Sequence, residues 1–209
     1  MTQLFHLLDK GCEVERSLWD DRSLLIDLDI DYENFDCAIG AYLEPARVFQ
    51  IMQPVVDAAL RVLKANGITP LHLVSGKGHH LVWAVGQKTA AFDRLARLGQ
   101  IPASLDALYK EGCYRLGRKL SSRLARAFAG AGMLLEYVAH RILIESMSEC
   151  SVPVQITAVE VGPGPKGREI VSLDISEYGD PLYTRRIRIP FSAYLKPRRL
   201  TWMENTIEF

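Results

Sequence analysis

Residues 24–31, LLIDLDID, constrain this chain more than any other stretch. Leu24, Leu25 and Ile26 read as a buried strand. Asp27, Asp29 and Asp31 then alternate with Leu28 and Ile30. Successive side chains of a strand point to opposite faces. The spacing therefore predicts three carboxylates on one face, with Leu28 and Ile30 in a core. Carboxylates crowded together repel each other unless a cation joins them, and a divalent ion is the largest charge such a site can hold. Hard oxygen donors of this kind suit Mg²⁺ or Mn²⁺. A solvated strand end would carry the same pattern.

The chain has 209 residues, enough for one sizeable domain with a helical insert. A hydrophobic share of 48% and a charged share of 24% predict a soluble globular protein. No apolar run approaches the ~20 residues of a membrane span. The start, MTQLFHLLDKGCEVE, has neither a basic leader nor a long apolar segment, so no signal peptide is expected. Cysteines at 12, 37, 113 and 150 form no CxxC pair, which argues against a zinc module and a disulfide framework. Free thiols in a reducing cytoplasm are the expectation. A net charge of zero excludes a uniformly basic nucleic-acid binder. The charge is uneven, however. Residues 1–36 hold ten acids against three bases, residues 110–126 six bases against one acid, and residues 185–199 six bases and no acid. An acidic site flanked by basic segments fits a metal centre beside a polyanion track.

Asp20, Asp21 and Ser23 read as a turn, and residues 32–44 as a loop. Pro45 opens a helix with Val48, Ile51, Met52, Val55, Ala59, Val62 and Leu63 near helical period. Pro54 predicts a kink or a split, and Asn66-Gly67 a stop. Strands are expected at 71–74, 80–85, 154–161, 169–174 and 185–190, the third and fourth joined around GPGPKG. Thr89 and Ser104 are candidate N-caps of two helices. A third helix is expected near 133–148, with Gly130 and Gly132 breaking the helices on either side. This order predicts an α+β fold with a mostly antiparallel sheet and a helical insert at about 89–149.

The second informative stretch is 71–85, LHLVSGKGHHLVWAV. Two apolar strands flank a Gly-rich turn with Ser75, Lys77, His79 and His80. Gly76 and Gly78 would let the backbone approach a ligand. Free amides, a lysine and a histidine make a phosphate cradle. Alternation puts His80, Val82 and Ala84 on one face and His79, Leu81 and Trp83 on the other, so one histidine faces the ligand side. As an isolated feature the turn reads as a plain β-hairpin whose glycines satisfy turn geometry. Residues 115–128 are amphipathic at helical spacing, with Leu116, Leu120, Leu124 and Phe128 as the buried stripe. Arg115, Lys119, Arg123 and Arg126 beside it form either a solvated basic face or contacts to nucleic-acid phosphates. Lys196, in the last basic segment, is a further candidate DNA contact. Trp83 and Trp202 could stack on bases, although core packing suits Trp83 on its strand.

An apolar run ending in Asp-x-Asp, followed ~50 residues on by strand–SGxGxH–strand, resembles the archaeo-eukaryotic primase superfamily. That superfamily includes small primase subunits, primase–polymerases and the polymerase domain of bacterial end-joining ligases. LLIDLD matches the first motif through Asp27 and Asp29. SGKGHHLVW matches the second, with His80 in the place of the triphosphate-contacting histidine. VSLDIS and TRRIRIPFSAYLKP resemble the third, through Asp174, Arg185, Arg188, Pro190 and Ser192. Tyr194 stands where many members have histidine, and Asp180 is a rival to Asp174. The resemblance implies that Asp27, Asp29 and Asp174 hold two Mg²⁺ or Mn²⁺ ions. It implies that Ser75, Lys77, Gly78, His80 and Arg188 bind the nucleotide. It further implies template-directed joining of nucleoside triphosphates on single-stranded DNA, in company with a helicase, a second primase subunit or another replication or repair module. Residues 86–150 carry no part of it.

Two other classes remain open on sequence. A metal-dependent nuclease or phosphoesterase could use the same acids and histidine. A non-catalytic nucleic-acid-binding module on a degenerate primase fold would not need metal. Haloacid-dehalogenase-type phosphatases need Thr or Val two residues after the second Asp, where this chain has Asp31.

Overall fold

The acidic stretch becomes the central strand of a five-stranded sheet in the computed structural model, which describes residues 2–111, 114–115, 118–157, 169–178 and 186–193. In chain order the elements are α1 (Thr2–Asp9), β1 (Glu15–Ser17), β2 (Ser23–Asn34), α2 (Gly40–Leu43), α3 (Pro45–Ala65), β3 (Leu71–Val74) and β4 (Gly78–Gly86). Then follow α4 (Ala90–Leu98), α5 (Ala103–Glu111), β5 (Tyr114–Arg115), β6 (Arg118–Lys119), α6 (Ser122–Ser146), β7 (Val154–Thr157), β8 (Glu169–Asp174), a 3₁₀ turn (Ser176–Tyr178) and β9 (Arg186–Arg188). The sheet order is β3-β4-β2-β8-β7. All neighbours are antiparallel except β7 and β8. The fold is thus α+β with a mostly antiparallel sheet.

Period-two alternation explains the position of β2. Leu24, Ile26, Leu28 and Ile30 are fully buried in one cluster with Val48, Met52 and Val55 of α3 and Leu135, Val138 and Ile142 of α6. Each such side chain stabilises the fold by about 1.5–3 kcal/mol. A slip of one residue would drive the carboxylates into that core, so the register is strongly specified. Beside the opposite sheet face, Ile187 of the separate antiparallel pair β1·β9 lines a cavity with Leu25 and Val82.

Several expectations are corrected. β2 runs to Asn34 instead of yielding to a loop at 32, because Tyr32 is buried and pairs with Val171. Its hydroxyl donates to Glu169, whose two oxygens each accept from Arg47 at 2.8 Å. α3 is continuous through Pro54. Val48 and Met52 before the proline and Val55 and Val56 after it are all buried, so packing holds both halves of the helix in place. β4 begins at Gly78, two residues earlier than expected, and the turn is closed by Ser75 N–H donating to Gly78 O at 2.8 Å. Thr89 caps α4 as expected, its hydroxyl accepting from Phe92 N–H. Ser104 does not cap α5, which already starts at Ala103.

The largest correction concerns α6. It starts at Ser122, capped by Ser121, whose hydroxyl accepts from Leu124 N–H at 3.1 Å. Residues 115–128 are therefore not one helix; Arg115 and Lys119 lie in the short pair β5·β6. α6 also runs unbroken through Gly130 and Gly132. A Cβ at Gly130 would overlap the Leu95 carbonyl oxygen, and one at Gly99 would overlap that of Arg126. The glycines are points of close approach between α4 and α6, not helix breakers. By length and composition α6 could cross a membrane, but Leu124, Phe128, Leu135 and Ile142 are buried in the shared core.

One backbone feature stands apart. Phe191 has φ 66°, the only positive φ of a non-glycine among the described residues. It is the third residue of a turn closed by Ser192 N–H donating to Ile189 O at 3.2 Å, with Pro190 second. Pro second and φ > 0 third are the signature of a type II turn, which favours Gly or Asn where Phe191 stands. For another L-residue this backbone costs about 1–2 kcal/mol.

Candidate functional site

Three adjacent strands, β4, β2 and β8, build the site. Asp29 lies opposite His80 on one side and opposite Asp174 on the other, and Asp31 lies opposite Ser172. Residues directly opposed across strands share a sheet face. Asp27, Asp29, Asp31, His80 and Asp174 therefore occupy the face away from α3 and α6. His79 is on the helix-covered face, 6% exposed, with its ring edge-on to Phe49 and its Nδ1 2.8 Å from His72 Nε2.

His80 bridges the two leading acids. Its Nδ1 is 3.1 Å from Asp27 Oδ2 and 3.6 Å from Asp29 Oδ1. Burial alone would lower the His80 pKa, but the Asp27 hydrogen bond and the charges of Asp29, Asp27 and Asp31 outweigh it and raise the pKa to about 9. His79 moves the other way, to about 4, through burial and then the His72 and His80 charges. A histidine with a raised folded pKa stabilises the protein fully below its ordinary 6.5, and that contribution is lost as pH rises through about 9. Chemical denaturation without divalent ions should therefore show stability falling between about pH 7 and pH 10. His80→Gln should flatten this part of the profile. An identical profile in the variant would exclude the coupling.

Asp27 is 1% exposed. Its N–H donates to the Tyr178 hydroxyl at 3.2 Å. Tyr178 stacks on Phe128, and a Cβ at Gly132 would lie 2.7 Å from Tyr178 Cβ. Asp27 Oδ1 is buried without a hydrogen-bond partner. Asp174 Oδ1 accepts from Ser176 N–H at 2.7 Å. Among the described residues no group of three or more His, Cys, Asp or Glu is arranged to hold a metal ion. The donor chemistry still fits Mg²⁺ or Mn²⁺: hard carboxylate oxygens share one face, and the Asp27 oxygen is an orphaned acceptor.

A cleft of about 690 Å³ opens beside His80. Ser75, Gly76, His80, Arg188 and Phe191 line it. The pairing of β9 with β1 brings Arg188 here, with its Nη1 3.5 Å from Glu13 Oε1. Lys77 and Gly78, expected in a phosphate cradle, are held elsewhere. Lys77 Nζ pairs with Asp31 at 2.8 Å and with Glu33. Burial opposes its charge, yet these two carboxylates raise its pKa. Asp31 is thus in an ion pair. Gly78 lies against β2, where a Cβ would overlap the Ile30 carbonyl oxygen, so strand packing rather than ligand approach accounts for the glycine.

Among the candidate DNA contacts, Arg123 and Arg126 have described side chains, both on α6. Arg123 pairs with Asp93 and sits 4.6 Å over the Phe92 ring, and Arg126 is 3.5 Å from Asp106. Asp180, Arg185, Tyr194, Lys196, Trp202 and the GPGPKG segment lie outside the described residues, as do the side chains of Arg115 and Lys119. Trp83 is half-buried and lines a smaller cavity of about 250 Å³ with Leu25 and Ile187. Sequence reasoning missed Tyr178 and Phe191, because an isolated aromatic residue reads simply as core. Compared with known proteins, the chain matches no family model, no curated protein and no solved structure.

Proposed function

We propose that this chain is a metal-dependent nucleotidyltransferase of the archaeo-eukaryotic primase type, joining nucleoside triphosphates on a single-stranded DNA template. One observation carries the reading. Asp27, Asp29, His80 and Asp174 share one face of three adjacent strands, beside a cleft that also holds Ser75, Gly76 and Arg188. A row of carboxylates beside His80 and Arg188 suits a substrate whose reacting phosphate must be approached by a hydroxyl while its polyphosphate tail is held.

In the reaction a hydroxyl gives up its proton to water and its oxygen bonds to the α-phosphorus, the bond to the bridging oxygen breaks, and pyrophosphate leaves with its electron pair. His80 and Arg188 would hold the triphosphate. Gly76 leaves room for the backbone to approach it. Asp27, Asp29 and Asp174 would hold the divalent ions. Bound there, Mg²⁺ or Mn²⁺ would supply positive charge to the attacking and leaving oxygens. A cytoplasmic setting and a helicase or second primase subunit as partner belong to the same proposal.

Incubation with single-stranded template, labelled nucleotides and Mn²⁺ or Mg²⁺ tests the reading. Chain growth with pyrophosphate release supports it. Strand cleavage would favour the nuclease alternative, and metal-independent DNA binding without turnover the non-catalytic one.

The two histidines give a sharper test. A charge-assisted hydrogen bond from His80 to a phosphate is worth about 1.5–3 kcal/mol. His80→Ala should weaken nucleotide binding roughly tenfold to a hundredfold. His79→Ala should leave affinity nearly unchanged and lower stability, because the ring packs against Phe49. Titration of both folded variants reads this. The reverse ranking would mean that the nucleotide meets the other face of β4.

A further inference from the structure

We propose that the Phe191 ring is the platform on which the base of a bound nucleoside triphosphate stacks. The proposal rests on the nucleotide reading above and adds the residue that holds the base. Phe191 combines two features that packing does not explain. Its backbone has φ 66° at the turn position that favours glycine. Its side chain is 94% exposed, so burial does not offset that strain. Strain that the surrounding structure maintains without a packing return is a pointer to function.

The turn is held rigidly. Pro190 restricts it on one side. On the other, the Ser192 hydroxyl accepts from Val14 N–H at 2.6 Å, tying the turn to the segment before β1. The backbone from which the ring projects is therefore tied in place.

The ring is presented to a particular cleft. Phe191 lines the same space as Ser75, Gly76, His80 and Arg188. Leu71 and Val74, 56% and 66% exposed on the edge strand β3, form an apolar wall of that space. The space thus combines an aromatic ring and aliphatic side chains with the side chains of His80 and Arg188. A nucleoside triphosphate combines the matching chemistries, a flat base and a polyanion. A volume of about 690 Å³ suits a ligand of that size. Stacking on an aromatic ring accepts every base, as a template-directed enzyme requires.

Calorimetric titration with ATP, CTP and inorganic tripolyphosphate in Mg²⁺ separates the contributions. Phe191→Gly removes the ring and places glycine where the turn favours it, so the melting temperature should hold or rise. ATP and CTP affinity should fall about tenfold in this variant, with tripolyphosphate binding unchanged. Phe191→Trp should keep or strengthen nucleotide binding. Wild-type affinity for ATP in Phe191→Gly would overturn the platform and leave the nucleotide reading standing. A melting temperature several degrees lower would also overturn it, by making the ring structural. Failure of the unmodified protein to bind ATP or tripolyphosphate would remove both readings together.

Discussion

Asp27→Asn is expected to lower nucleotide incorporation by about a thousandfold while the protein stays folded. The substitution keeps size and shape, so the burial at this position is preserved. It removes the charge from the one side chain whose Oδ2 is 3.1 Å from His80 Nδ1 and whose Oδ1 is buried without a partner. An ion held by carboxylates contributes several kcal/mol of charge stabilisation, and each 1.36 kcal/mol is about tenfold in rate. The fold should tolerate the change. Losing one charge weakens the repulsion that Asp27 shares with Asp29, which offsets part of the lost His80 pairing. Primer extension on single-stranded template in Mn²⁺, with circular dichroism on the same sample, reads both halves. Extension at the unmodified rate would put the chemistry elsewhere.

Gly130→Leu is expected to destabilise the protein by about 3 kcal/mol or more, above the usual cost of overpacking. Helix propensity alone gives the opposite sign, since replacing a mid-helix glycine gains about 1 kcal/mol. Contact decides the sign. A Cβ at Gly130 would overlap the Leu95 carbonyl oxygen and lie 3.1 Å from Gly99 N. These are backbone atoms, so no side-chain rotation relieves the clash, and α4 must move off α6. Gly130→Ala should show a smaller loss of the same sign. Urea denaturation of the two variants settles it, and a stabilised Gly130→Ala would show that the helices can separate at little cost.

The same contrast runs through the molecule. Alternation along a strand is a local property, set by backbone geometry and read directly from residue order. That is why LLIDLDID announced both the core face of β2 and its acidic face. It is also why the opposite directions of His79 and His80 were legible before any coordinates. Composition and element order were enough for the α+β class. The cap at Thr89 needed only its own hydroxyl and an amide three residues on.

What escaped the sequence depends on partners far along the chain. Lys77 reads as a free cation beside a phosphate site until Asp31 and Glu33, on the neighbouring strand, take its charge. Gly78, Gly130 and Gly132 look like flexible or helix-breaking residues. Their smallness is instead used against β2, α4 and Tyr178, contacts that no local window contains. Pro54 fails to divide α3 because burial on both sides of it exceeds the cost of a missing hydrogen bond. Arg188 and Phe191 reach the cleft only because β9 pairs with β1, some 170 residues earlier in the chain. The sequence by itself determined which residues share a strand face, since that follows from the geometry of each peptide. Only the tertiary structure decided which charges are neutralised, where glycine is required and which side chains meet in the cleft. Those outcomes are set by through-space packing and electrostatics, which the order of residues along one strand or helix does not contain.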